Sequence, residues 1–208
     1  MYPYQVEQDV YCYQGTTVLK NLPDIRDPAV LEQFELEMTT LRAEEPFPEG
    51  AFDCHHYRLV HHHLFQDVYR WAGRDRTVRT AKGGNWFCFP ENIKTQMKSV
   101  FAKLGHEAFQ PGAAPGDFLS ASADFLAELN AVHPFREGNG RAQLAFLDLV
   151  GVRAEHPFEF RRIARESFMP AMITSFSGNI APLRAELESS TFSAPTARPC
   201  RSWDPISV

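Results

Sequence analysis

The chain has 208 residues, 44% of them hydrophobic, and a formal charge of −5. That is enough apolar material for one well-packed domain, and the acidic balance argues against a bulk electrostatic grip on nucleic acid. No apolar run approaches the ~20 residues that cross a bilayer. The opening segment MYPYQVEQDVYCYQ has neither the basic nor the apolar stretch of a Sec-type signal, and Cys12, Cys54, Cys88 and Cys200 form no C-x-x-C pair. The expectation is therefore a reduced, cytoplasmic protein with no membrane span.

Residues 1–26 are mixed and aromatic, with a turn expected at Gly15-Thr16-Thr17. Asp27-Pro28 pairs an N-cap with proline at the first helical position, and the helix is expected to run to about Arg42. Val30, Leu31, Phe34, Met38 and Leu41 give it an apolar stripe. Pro46 and Pro48 place a loop at 44–50. Asp53 is expected to cap a second helix that runs through Arg70, with Tyr57, Val60, Leu64 and Val68 inward and Trp71-Ala72-Gly73 ending it. That segment carries His55, His56, His61, His62 and His63. No acidic or cysteine ligand completes a metal site with them, so they read as exposed or hydrogen-bonded histidines.

Two short strands, 77–81 and 86–90, flank Lys82-Gly83-Gly84-Asn85 and predict a β-hairpin, the one convincing strand pair in the sequence. A lone hairpin must lie on helices, and an open edge could pair with an extended peptide. Trp86, Phe87 and Phe89 read as packing anchors. Pro90-Glu91 opens a helix through about Leu104, and 105–116 reads as a loop. Asp117 is expected to cap the next helix, with Phe118, Ala121, Phe125, Leu129 and Val132 buried. After a polar loop, Leu144, Phe146, Leu147 and Val150 continue the core until Gly151 stops the helix. Helices are expected at 159–174 and 179–188. The domain is expected to span 1–189, and 190–208, rich in Ser, Thr and Pro, reads as a flexible tail.

The polar loop between those two apolar helices is His133-Pro134-Phe135-Arg136-Glu137-Gly138-Asn139-Gly140-Arg141. A helix starting near Gly140 would aim free N–H groups into it, an arrangement suited to phosphate. His133 can act as a general base near neutral pH or simply cap its helix. Phe135 anchors the loop in the core. Glu137 offers hard oxygens suited to Mg²⁺, or is a solvated carboxylate. Asn139 either donates to a phosphate or holds a turn. Arg141 sits against the helix dipole unless an anion accompanies it, and Arg136 has no assigned role. Together these parts suggest phosphoryl or nucleotidyl transfer.

This stretch resembles the signature of the Fic-domain family, H-x-F-x-[DE]-G-N-G-R, at every specified position. Residues 15–21, 64–73 and the hairpin region Arg76-Thr77-Val78, Lys82-Gly83-Gly84 and Phe87 are also similar to that family. The resemblance implies a mostly α fold, a Fic-type helical bundle with a short β-hairpin flap. It implies a protein adenylyltransferase that moves AMP from ATP to a Ser, Thr or Tyr hydroxyl of a target protein with Mg²⁺. By position, His133 would be the general base and Glu137 the Mg²⁺ ligand. Gly138, Asn139, Gly140 and Arg141 would hold the nucleotide phosphates. Thr80, Ala81, Lys82, Gly83 and Gly84 would form the flap that registers the target by strand addition. Two departures stand out. The family pattern usually continues to a second arginine where this chain has Leu144, which leaves one cation fewer for the triphosphate. The inhibitory [ST]-x-x-x-E-[GN] helix of many relatives is absent from the sequence, which leaves that role to a small antitoxin-type partner. The alternatives are another phosphate-containing donor, or a nucleotide- or protein-binding module with weakened catalysis.

Overall fold

A computed structural model describes residues 9–82 and 84–191. Seven helices dominate it: α1 (Pro28–Glu44), α2 (Cys54–Phe65), α3 (Pro90–Ala102), α4 (Pro115–Val132), α5 (Asn139–Arg153), α6 (Arg165–Ser175) and α7 (Ala181–Ser189). The strands β1 (Ala81–Lys82) and β2 (Asn85–Trp86) pair antiparallel, Ala81 opposite Trp86. The apolar helix α4 is central: it packs on α3, α5, α6 and α7, while α2 packs on α1 and α5. Between them lies an aromatic core of Tyr57, Phe101, Phe125, Phe135 and Phe146. Among the described residues, no helix is long and apolar enough to cross a membrane. The mostly α class with a small hairpin is as expected.

Several boundaries differ from expectation for identifiable reasons. Asp27 caps α1 as read, its carboxylate accepting from Ala29 and Val30 N–H, but the buried face is Leu31, Glu35, Thr39 and Ala43. Val30 and Leu41 are 53% and 55% exposed. The polar pair Glu35 and Thr39 faces inward because it meets an arginine there, as described below. Helix α2 ends at Phe65 rather than Arg70: the Phe65 carbonyl takes both Val68 N–H and Tyr69 N–H in a tight turn, and the Val68 carbonyl takes Leu22 N–H. Asp117 lies inside the first turn of α4, which starts at Pro115 behind Ala114; an acid there still suits the helix dipole. Gly151 does not stop α5, which continues to Arg153; its bare Cα lets the loop carbonyl of His156 approach.

The hairpin is shorter than read. Val78 and Cys88 give their carbonyls to Arg76, and Cys88 N–H goes to Ala131, so these groups do not pair with each other. Of the three flap aromatics only Phe87 is buried; Trp86 and Phe89 are 54% and 39% exposed. A second pairing, missed in the sequence, joins Cys12 to Leu19 around the Gly15 turn. Past Ser189 the chain keeps native contacts: Ser190 is buried and Thr191 bridges Phe158. Gly83 and residues 192–208 of the expected tail lie outside the described residues.

Candidate active site

The motif loop begins where α4 must stop. Pro134 cannot continue a helix, and His133 closes α4 in the left-handed region, at φ 48°, while its N–H still bonds Leu129 carbonyl. Histidine is among the few side chains that tolerate such a φ. Phe135 then inserts between Tyr57 and His61, with ring centroids 5.2 and 3.7 Å away. Asn139 clamps the Phe135 backbone from both sides, accepting its N–H at 2.9 Å and donating to its carbonyl at 2.8 Å. Of the two open readings of Asn139, the structure shows its side chain holding the turn.

Gly138 precedes α5 at φ 78°, and a Cβ there would lie 2.2 Å from the buried Phe65 ring. Past it, the first-turn N–H groups of Asn139, Gly140 and Arg141 have no upstream helical carbonyl to donate to. They point with the positive end of the dipole into the loop.

His61 fastens the loop from α2. Its Nδ1 accepts from Gly73 N–H at 2.9 Å, so Nε2 carries the proton that goes to Glu137 carbonyl at 3.0 Å. Burial pushes its pKa down to about 3, which keeps it neutral. The expectation of hydrogen-bonded histidines is borne out for His56 and His61, and no cluster of three or more His, Cys, Asp or Glu capable of holding a metal occurs among the described residues.

His133 is buried, and its ring lies flat against Phe87 of the flap, with centroids 3.8 Å apart and planes 10° from parallel. Burial first, then the charges of Arg76 and Lys82, press its pKa down to about 3. The imidazole is therefore neutral at pH 7. Four residues on, the half-buried Glu137 carboxylate accepts Gly138 N–H at 2.9 Å through Oε1. Burial and the Glu35 charge raise its pKa. A cation here would take one protein carboxylate and fill its shell with water and phosphate oxygens. That suits Mg²⁺, which keeps several waters and rarely uses an all-protein cage.

The two motif arginines are engaged by acids from far up the chain. The buried Arg136 pairs with the half-buried Asp9 at 2.5 Å. Arg141 pairs with Glu35 of α1, bonds Thr39 Oγ1 at 3.2 Å, and lies over the Phe65 ring. The Tyr69 hydroxyl donates to the other Glu35 oxygen. Sequence reasoning missed Asp9 and Glu35. The signal for Glu35 is its i,i+4 spacing with Leu31, Thr39 and Ala43, a stripe in which two members are polar. Leu144 is buried in the core, so its position on α5 serves packing.

The structure thus brings His133, Glu137, Gly138, Asn139, Gly140 and Arg141 onto one loop and helix start, with the flap over His133. In the flap, Thr80 is buried and its carbonyl takes Phe87 N–H at 3.1 Å, while Lys82 is half-buried and Gly84 exposed. Arg76, quoted in the sequence reading only as part of a resemblance, is fully buried between loop and flap.

The Fic/DOC family model matches residues 51–150. The chain is 33% identical over 182 residues to "Protein adenylyltransferase VbhT" of Bartonella schoenbuchensis, a match covering 86% of this chain but 38% of that protein. It superimposes on the BepC protein of Bartonella tribocorum, a VirB-translocated effector solved with bound AMPPNP, with a TM-score of 0.81 and 29% identity, covering 89% of this chain and 97% of that one. With "Probable protein adenylyltransferase y4lH" of Sinorhizobium fredii the identity is 45% over 188 residues, 90% of this chain and 98% of that protein. At that identity over nearly the whole relative, with the motif loop folded as its residues demand, the chain belongs to the Fic/DOC family.

Proposed function

We propose that the protein is a protein adenylyltransferase: it transfers AMP from ATP to a Ser, Thr or Tyr hydroxyl of a target protein and releases pyrophosphate. The observation that carries this reading is the meeting of three features within nine residues: a neutral buried His133, the Glu137 carboxylate, and the N-terminus of α5. The relatives named adenylyltransferases and the neighbour holding AMPPNP support it.

In this reading the first-turn N–H groups of α5, at Asn139, Gly140 and Arg141, receive phosphate oxygens. Arg141, held in place by Glu35, adds its charge. Glu137 would hold Mg²⁺, which when bound spreads the negative charge of the phosphates. His133 takes the proton of the target hydroxyl as its oxygen bonds to the α-phosphorus, and the bond from that phosphorus to the pyrophosphate oxygen breaks. The Thr80–Gly84 flap presents a strand edge along which the target segment aligns its hydroxyl with His133. We place the activity in the cytoplasm, with a small antitoxin-type protein as its inhibitor. A second reading rests on Leu144: with a buried leucine where a second arginine usually stands, the donor is another nucleotide or phosphate-bearing group, or catalysis is weakened.

The test is incubation of native lysate with Mg²⁺ and ATP labelled at the α-phosphate. His133→Ala is expected to lower protein labelling by about 10²- to 10⁴-fold, with label from wild type on hydroxyl side chains by mass spectrometry. Equal labelling by both proteins overturns the mechanism. Stronger labelling from GTP, CTP or UTP selects the second reading.

A further inference from the structure

Arg76 is 2% exposed, yet it carries a permanent charge. Its guanidinium is spent on carbonyls. Nε donates to His133 at 2.8 Å, Nη2 to Val132 at 3.2 Å and Cys88 at 2.6 Å, and Nη1 to Val78 at 2.7 Å. Its own N–H donates to Pro134 carbonyl at 2.7 Å.

These acceptors belong to two different parts. Val132 and His133 form the C-terminal end of α4, where carbonyls point outward unsatisfied and the dipole is negative, a fit for a cation. Val78 and Cys88 lie on the two arms of the hairpin, one before β1 and one after β2. One planar fork therefore joins the turn that bears the base to both arms of the flap. Beside Cys88, Phe87 lies flat on the His133 ring, with Phe176, at the C-terminal end of α6, behind it at 5.6 Å. The backbone of the base is held by Arg76 and its ring by Phe87, and both holds run through the same flap arm.

We propose that Arg76 is the positioning residue that sets His133 and the flap as one unit, so that the base and the strand receiving the target meet at one point. This rests on the adenylyltransferase reading above. The guanidinium is suited to the task because its donors leave in fixed, coplanar directions; a lysine ammonium has the charge without the fork. The charged groups facing His133 are Arg76 itself and Lys82 of β1. Among the described residues Phe87 lies on its ring, with Phe176 behind Phe87, and the Asn130 backbone bonds it.

The experiment compares wild type, Arg76→Lys, Arg76→Gln and Phe87→Leu in AMP transfer to the target identified by lysate labelling, with calorimetric nucleotide binding, and an NMR titration of His133 in each. Arg76→Lys is expected to keep the KM for ATP within about twofold while kcat falls about 10- to 100-fold, the cost of an ångström-scale misplacement. In Arg76→Gln the His133 titration moves upward because a neighbouring positive charge is gone; in Arg76→Lys it stays. Phe87→Leu is expected to lower kcat in the same way. Combined with Arg76→Lys it should lose less than the product of the single losses, because both act on one orientation. A folded Arg76→Lys with wild-type kcat, or one that loses nucleotide binding in step with kcat, overturns the proposal. If the Arg76 variants do not fold, an unchanged kcat in Phe87→Leu overturns it. Failure of wild type to label any protein is a different result and counts against the adenylyltransferase reading itself.

Discussion

The loop 134–138 and the hairpin around Gly84 face each other across His133, and they are secured by different means. The loop is held by groups remote in sequence, Asp9 on Arg136, His61 on the Glu137 carbonyl and Glu35 on the Arg141 that follows it, and from within by Asn139 across the Phe135 backbone. The hairpin has two strands of two residues each, two exposed aromatics and a tip glycine with no atom within 4 Å of where a Cβ would stand. Among the described residues each strand has one partner and an outer edge. Chemistry needs its base and carboxylate fixed to a fraction of an ångström, and such fixing takes many contacts. A surface that adds a foreign strand keeps its backbone groups available and draws on weakly held structure.

The largest test of this contrast is Glu35→Ala. It strips the buried Arg141 of its carboxylate and leaves the Tyr69 hydroxyl without its acceptor. Removing one partner of a buried ion pair costs about 3–5 kcal/mol, which for a chain of this size lowers Tm by about 10 °C. Glu35→Gln, which keeps the side-chain shape, an acceptor oxygen for Arg141 and an amide that can donate to the Tyr69 hydroxyl, is expected to lose less. A Glu35→Ala protein within about 1 kcal/mol of wild type by urea unfolding would mean that α1 does not hold the loop.

Next comes Gly138→Ala. Its methyl would drive into the fully buried Phe65 ring at 2.2 Å, at a φ of 78°. Overpacking and left-handed strain together cost about 2–4 kcal/mol. Because α5 starts there, nucleotide binding by calorimetry is expected to fall with stability.

How much of this was legible depended on how local each feature is. The motif loop could be read whole, because nine consecutive residues carry it and Pro134 and Gly138 mark its ends. The hairpin could be placed from its glycines, but not measured, because Arg76 claims the carbonyls of Val78 and Cys88. The buried face of α1 was misread because burial of Glu35 and Thr39 makes sense only beside Arg141, 106 residues from Glu35. The Asp9–Arg136 pair spans 127 residues. Which acid answers which arginine is a fact of tertiary structure, and hydrophobic periodicity carries no trace of it.

A moderate effect is expected from pH. His61 and His133 both have folded pKa values of about 3, against an unfolded value of about 6.5. The unfolded chain therefore binds more protons than the native one between those limits. The stability these two neutral groups contribute is fully present above about pH 6.5 and is lost as pH falls towards 3. Urea midpoints measured from pH 7 to 4 should fall accordingly. His61→Gln, less stable at pH 7, should show the shallower fall because it takes up one proton fewer on unfolding. An equal slope in both proteins would show that His61 is not held neutral beneath the loop.

The smallest effect sharpens the contrast most. Gly84 at the flap tip has a φ of 84°, close to the 78° of Gly138, but open space where Gly138 meets Phe65. Gly84→Ala therefore carries the backbone strain of a left-handed alanine and little else, about 1 kcal/mol. Subtracting its cost from that of Gly138→Ala cancels the strain and leaves the collision with Phe65, so the difference measures how tightly the loop is packed. A difference near zero would mean that the loop yields as easily as the hairpin does. A difference of about 2 kcal/mol, in the range of core overpacking, would show that the rigidity of the site begins at the glycine that starts α5. On that outcome Gly84→Ala should leave nucleotide binding untouched, and any change in AMP transfer should appear in the KM for the target protein, because the flap tip lies on the side that receives it.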